Sequence, residues 1–213
     1  MEEELQTVNP PPPADLKRSL LSGVLEYIGE LIRVVIISLA IILPVRYFLV
    51  QPFYVKGASM EPNFHDREYL IIDELSYRLR EPSRGEIVVF RYPADPSQFF
   101  IKRIIGLPGE TIDIQNNKIK VVNKTEPTGL SLEEPYLEAK DIIYGNFSVK
   151  LGQNEYYLLG DNRSFSLDSR QFGPVSKQFF IGRAWIRGWP PDRVTRFVAP
   201  DYPDDKQNPQ PKT

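Results

Sequence analysis

Residues 111–122 read TIDIQNNKIKVV, and this stretch decides the fold: two short runs of alternating apolar and polar residues flank the pair Asn116-Asn117. Period-two alternation puts the apolar residues of each run on one face. Asparagine tolerates the positive φ that a two-residue hairpin turn requires, so the stretch is predicted to be a β-hairpin. Working outward, the runs EYLII (68–72), GEIVVF (85–90), FFIKRII (99–105), EYYLL (155–159) and FFIGRAWIRGW (179–189) are separated by Pro, Gly, Asn and Asp. That is the pattern of an all-β domain. Within it, turn residues thicken from Glu126 to Asn154, which predicts an irregular insertion or loosely paired ribbon over about 123–154. After Pro190-Pro191 the chain turns rich in Pro, Asp and Lys, and a flexible tail is expected over 192–213.

The N-terminal quarter follows different rules. Residues 1–19, with the run Pro10 to Pro13, are expected to be a disordered tail. From Leu20, the residues Leu21, Val24, Leu25, Ile28, Leu31, Ile32 and Val35 follow helical spacing. They run into LIRVVIISLAIILPVRYFLV (31–50), which at helical rise spans ~30 Å, a bilayer core. Its uncharged part, Val34 to Val45, is short and Pro44 lies near its end, so length alone leaves a buried helix or a signal h-region open. Arg33 and Arg46 lie where long side chains reach head groups, Tyr47 and Phe48 suit an interface, and no small-x-small cleavage site follows. A retained membrane anchor over 20–50 is therefore expected. Lys17, Arg18 and Arg33 before the span, against Arg46 and Lys56 after it, tilt the N-terminus toward the cytoplasm.

Composition limits the chemistry. The 213 residues are 41% hydrophobic, enough for a core, and the net charge of -2 offers no attraction to a polyanion, so nucleic acid is not an expected partner. The absence of cysteine excludes disulfides, thiolate metal sites and cysteine nucleophiles. With His65 the single histidine, a histidine metal site is implausible and a hydrolase needs some other base. No metal and no cofactor are expected.

Three segments carry candidate chemistry. In GASMEP (57–62), the small residues Gly57 and Ala58 leave the Ser59 hydroxyl accessible and allow close backbone approach; the segment reads equally as a surface turn. In FFIKRII, alternation sets Lys102 on the face of Phe100 and Ile104, and Arg103 on that of Ile101 and Ile105, so pattern alone does not say which cation is buried. Only the lysine could lose its proton, and a lysine at its ordinary pKa of ~10.4 is a poor base at pH 7, so burial would have to lower it. In GDNRSFSLDSR (160–170), the ligand alternation and central glycine of a calcium loop are missing. The alternatives there are a structural ion pair from Asp168 to Arg170 or other basic residues nearby, and a Ser166 hydroxyl oriented toward the site.

Taken in order, an apolar span, GASMEP, RGEIVVFRYP (84–93), FFIKRIIGLPGE (99–110) and GDNRSFSLDSR resemble the type I signal peptidases, or leader peptidases, over about residues 31–189. The resemblance implies a mainly β, antiparallel catalytic domain of the signal-peptidase type over 51–191, preceded by one N-terminal transmembrane helix. It implies a Ser/Lys endopeptidase in which Ser59 is the nucleophile, Lys102 the general base, Ser166 a hydrogen-bond partner of the lysine, and Asp168 and Arg170 supports of the architecture. Its expected partners are signal peptides of exported preproteins, with small residues at the first and third positions before the cut, and the lipid bilayer. Its expected place is the plasma membrane, or a thylakoid-type membrane, with the catalytic domain outside the cytoplasm. Two positions depart from the family: Gly57, where some members carry a serine that helps stabilise the oxyanion, and Phe100, where others have tyrosine. An inert membrane-tethered β module that binds peptides would share the anchor and the strands without needing both Ser59 and Lys102. A self-cleaving repressor of related chemistry would need a helix-turn-helix and a basic patch, and neither is visible.

Overall fold

The computed structural model describes residues 14–44, 50–137, 143 and 145–202. The chain divides into two units at Arg46/Tyr47. The first is a helix, α1 (Ala14–Pro44), which starts inside the stretch expected to be a tail. Its residues Leu31, Val34, Val35, Ile36, Ile37, Leu39, Ile41 and Ile42 are all exposed, so its second half is apolar around the whole circumference. Among the described residues no helix is long and apolar enough to cross a membrane; Glu26, Glu30 and Arg33 lie within the described part of α1. The flanking residues Arg46, Tyr47 and Phe48, and the tail residues 1–13 and 203–213, fall outside the described residues.

The second unit is mainly β, and all its strand pairs are antiparallel. One sheet runs in the order β1 (Val50–Tyr54), β2 (Tyr69–Asp73), β11 (Phe180–Trp189), β3 (Ile87–Tyr92), β4 (Asp95–Gly106), β9 (Glu155–Leu159), β10 (Val175–Ser176), with β12 (Thr195–Arg196) added on β11. Each run expected to be a strand is one, with ends moved by a few residues. The hairpin forms β5 (Thr111–Gln115) and β6 (Lys118–Val122), with Gln115 opposite Lys118 and φ of 49° at Asn116 and 62° at Asn117, as its turn demands. The stretch 123–154 flanks this hairpin with two edge strands, β7 (Leu130–Ser131) on β6 and β8 (Phe147–Lys150) on β5, making a second sheet. Strands of two and four residues show too few alternations to reveal a period in sequence.

Alternation within the strands divides the apolar residues of the large sheet. Ile87 and Val89 pack with Val55, Met60, Phe64 and Leu70, whereas Val88 and Phe90 pack with Ile104, Tyr156 and Leu158. A third cluster joins Ile105, Tyr157 and Leu159 to Ile112, Ile114, Ile119 and Val121 of the hairpin. Arg84 at the start of RGEIVVF is fully buried beside this cluster, its guanidinium held by both oxygens of Glu110 at 2.7 and 2.8 Å. The fold also continues beyond Pro191. β12 pairs with β11, Phe197 stacks on Phe64 at 4.3 Å, and Tyr202 is buried. Aromatic anchors thus hold a segment whose Pro and Asp content reads as a tail.

At Gly182 the strands β2 and β11 approach so closely that a methyl carbon would stand 2.6 Å from the Asp73 carbonyl oxygen and 2.8 Å from Ile72 Cγ2. Backbone cannot yield as a flexible side chain does, so Gly182→Ala is expected to cost about 1–3 kcal/mol and lower the thermal midpoint by several degrees. Calorimetry on the two proteins checks this, and an unchanged midpoint would contradict it.

Candidate active site

Ser59 rides on the loop between β1 and β2. The neck of this loop is closed by Val55 and Arg67: the Val55 amide donates to Glu68 O at 2.8 Å and the Arg67 amide to Val55 O at 3.0 Å. Inside it the Glu61 amide donates to Ala58 O and the Phe64 amide to Met60 O. Met60 and Phe64 are buried and pin the loop to the sheet, which leaves Ser59 partly exposed beside exposed Gly57 and Ala58. Gly57 has φ of +94°, a region that glycine adopts without cost, and its amide donates to Asp66 Oδ1 at 2.8 Å. The Ser59 amide donates to no acceptor among the described residues.

Lys102 lies mid-strand in β4, opposite Val88 of β3. Its Nζ is 2.7 Å from Ser59 Oγ and donates to Ile101 O at 2.9 Å, and it stands 5.4 Å from the centre of the Phe100 ring. Both FFIKRII cations prove to be buried, Lys102 to 3% exposure and Arg103 to 4%. Their partners differ. Arg103 reaches both oxygens of Asp161 at 2.8 and 2.7 Å, whereas no carboxylate hydrogen-bonds Lys102 among the described residues. Burial therefore pushes the Lys102 ammonium from 10.5 down to about 8, with Asp168 and Asp161 at longer range pulling it up.

The segment 160–170 clamps the Ser59 loop from the other side. A Cβ at Gly160 would stand 2.5 Å from Ser59 O and 2.1 Å from Ser166 Oγ, so only glycine fits there. Asp161 holds Arg103 and also accepts from Asn63 Nδ2 at 2.9 Å. Asn162 donates through its backbone to Ser59 O and through its side chain to Ala58 O, both at 3.1 Å. Arg163 donates to Gly160 O at 3.0 Å and pairs with Glu134. Asp168 caps the short helix Ser169–Phe172, accepts from the Gly160 amide at 3.0 Å and pairs with Arg170 through both oxygens at 2.8 Å.

Of the residues singled out in sequence, the fold thus brings Ser59 to Lys102 and Asp168 to Arg170. Ser166 is buried against Gly160, but its hydroxyl makes no hydrogen bond to Lys102 or to any other group among the described residues. Asp161 serves the Arg103 guanidinium. Asp66, Asn63, Asn162 and Glu134 were not anticipated. A buried arginine demands a carboxylate, which could have tied Asp161 to Arg103, whereas nothing in sequence marks an asparagine that holds two backbone carbonyls.

The sequence profile of the family described as Signal peptidase, peptidase S26 matches residues 28–189. The chain is 38% identical to a probable signal peptidase I-2 from Synechocystis sp. over 78% of this chain and 75% of that protein. It is 31% identical to signal peptidase IB of Staphylococcus aureus over 76% and 89% of the two chains. A crystal structure of a signal peptidase I from Enterococcus faecalis V583 aligns with a TM-score of 0.41 at 29% identity, covering 49% of this chain and 97% of that one.

The lowered Lys102 pKa has a consequence for stability. Between pH of about 8 and 10.5 the unfolded chain binds a proton that the folded one does not, so this group's contribution to stability rises with pH across that window. Below it, the buried ammonium costs about 3 kcal/mol. Lys102→Met is therefore expected to be the more stable protein at pH 7 and to lose this advantage by pH 10.5, as measured by unfolding both full-length chains in detergent. A constant difference across the window would refute the shift.

Proposed function

The chain belongs to the signal peptidase family, peptidase S26, and is a serine endopeptidase that cleaves signal peptides from preproteins; we propose that Ser59 is its nucleophile and Lys102 its general base. The observation that carries this assignment is the 2.7 Å contact between Ser59 Oγ and a buried amine lowered to about 8. In its neutral form Lys102 donates an N–H to Ile101 O and turns its lone pair to the serine hydroxyl. It takes that proton as Oγ attacks the scissile carbonyl, returns it to the leaving amine, and then activates the water that hydrolyses the acyl-enzyme. The Ser59 amide, without another acceptor, supports the developing oxyanion. Gly57 brings no hydroxyl, and its own amide is committed to Asp66.

The substrate lies extended between two open strand edges. β1 ends the sheet, and β9 pairs with β4 only at Arg103, Ile104 and Gly106, leaving Phe99 to Ile101 open on that side. A ring contact of 5.5 Å between Phe53 and Phe99 brings the two edges together. Backbone pairing along them gives affinity, and the crowding apolar rings favour small residues at the first and third positions before the cut. The apolar half of α1, continued by the sequence toward β1, anchors the enzyme as a single pass with its N-terminus in the cytoplasm and its β unit outside, in a plasma or thylakoid-type membrane. Confinement to the bilayer that holds the signal peptide raises the effective substrate concentration.

Ser59→Ala and Lys102→Ala should each lower kcat/KM on a model preprotein by about 10³-fold or more. In the wild type, kcat/KM should rise about tenfold per pH unit below about 8 and level off above it, since the active form is the neutral amine. A flat profile or an active Lys102→Ala would refute the dyad.

Asp66 gives a subtler expectation. Glycine permits both signs of φ, so losing the Asp66 acceptor frees the Gly57 peptide to rotate next to the nucleophile. Asp66→Ala should lower kcat by roughly tenfold with little change in KM, while Asp66→Asn, which keeps an acceptor oxygen, should retain most activity. Equal activity in all three proteins would show that the contact is idle.

A further inference from the structure

At the end of the cleft away from Ser59, the large sheet leaves a cavity of about 320 Å³ lined by Glu74, Tyr77, Arg78, Arg91, Phe99 and Lys177, among others. Phe99 belongs to both spaces: its ring closes the cleft against Phe53 and also walls the cavity. Three strand steps separate it from Lys102, roughly 10 Å at 3.3 Å per residue. A peptide running along β4 with its scissile bond at Ser59 therefore reaches Phe99 with about its fourth residue before the cut, and the cavity with about its fifth and sixth.

The lining is charged and unevenly so. Arg78, Arg91 and Lys177 face a single carboxylate, Glu74. Arg78 is 3.9 Å from Glu74 and Lys177 is 2.7 Å from Glu81. Arg91 makes no ion pair among the described residues; it is exposed, with its guanidinium 5.4 Å from the centre of the Phe99 ring. Among these lining residues Glu74 Oε1 is buried without a hydrogen-bond partner. Burial pushes the Glu74 carboxyl up, against the pull of Arg78.

We propose that this cavity is an upstream subsite that binds an acidic side chain of the substrate five or six residues before the cleaved bond, with the Arg91 guanidinium as its main contact. The proposal rests on the reading of Ser59 and Lys102 as the point of cleavage. Continuity with the cleft through Phe99 selects a peptide over a lipid phosphate as the occupant. A guanidinium against a carboxylate forms a charge-assisted pair, and partial exposure keeps its worth modest.

The test uses the full-length enzyme in neutral detergent and peptides identical except for Glu, Gln or Lys at the fifth and sixth positions before the cut. The wild type should rank them Glu, Gln, Lys in kcat/KM, with about fivefold between the extremes at low salt, narrowing as salt is added. Arg91→Glu should reverse the ranking, and Lys177→Gln should flatten it, while all three proteins keep the same preference for a small residue directly before the cut. No ranking in the wild type, or one that survives Arg91→Glu, overturns the subsite. So does a wild type that ranks no peptide but is stimulated by phosphatidylglycerol vesicles through Arg91, which would make the occupant a head group. Failure of the dyad reading looks different, because Ser59→Ala would then still cut all three peptides.

Discussion

A lysine amine buried without a carboxylate in hydrogen-bonding contact is the constraint on which the rest of the site depends. The β unit buries several cations, and its carboxylates are distributed among the arginines: Glu110 to Arg84, Asp161 to Arg103, Glu134 to Arg163, Asp168 to Arg170 and Glu68 to Arg187. An arginine cannot shed its proton, so each needs its counter-charge. Lys102 receives a hydroxyl and a carbonyl instead. Among the described residues it is the one buried cation whose chemistry allows neutralisation, and burial without a paired carboxylate brings that within reach at a pH of about 8. Were Asp161 or Asp168 turned toward Nζ, the ammonium would be stabilised and the neutral amine that the proposed mechanism needs would be lost. The ion pairs of Arg103 and Arg170 thus act on Lys102 by keeping two carboxylates facing elsewhere.

The proposed nucleophile is placed by an independent device. Ser59 belongs to a loop closed at its neck by Val55 and packed by Met60 and Phe64, and the segment 160–163 grips that loop through backbone carbonyls. Its four residues have separate tasks: Gly160 allows contact, Asp161 holds Arg103, Asn162 binds two carbonyls and Arg163 fixes Gly160 O. Because β9 delivers this segment from beside β4, the strand that carries Lys102 also determines where the clamp on Ser59 stands. Lys102 and Ser59 are therefore registered to each other through the sheet, although their own segments are far apart in the chain.

Much of this was legible in the residues. Alternation exposed the strands and the Asn116-Asn117 turn, since period two and positive φ are local properties. The order of the motifs singled out Ser59 and Lys102, but the strand pattern could not decide between Lys102 and Arg103, because both faces of β4 are covered and both cations are buried. Long-range hydrogen bonds left no local trace: Asn162 to Ala58 and Asp66 to Gly57 depend on two loops meeting in space. The segment after Pro191 misled in the opposite sense, because Phe197 and Tyr202 outweigh a solvated composition once a surface exists for them to cover.

In the proposed mechanism Gly57, with no hydroxyl to offer, leaves the oxyanion to the backbone. One oxyanion donor is typically worth about 2.7–4 kcal/mol, and a chain without a hydroxyl at this position has to rely on amides. An amide aims well only if its peptide plane is fixed, and glycine is the residue least able to fix its own. Asp66 supplies the missing rigidity by binding the Gly57 N–H, and the φ of +94° that results is one a serine would adopt only under strain. Although nothing crowds the position of a Cβ at Gly57, placing a serine there would gain a hydroxyl at the cost of a strained backbone beside Ser59. The glycine and the aspartate form one unit, and an oxyanion donor gained at 57 would require the turn between Val55 and Ser59 to be rebuilt with it.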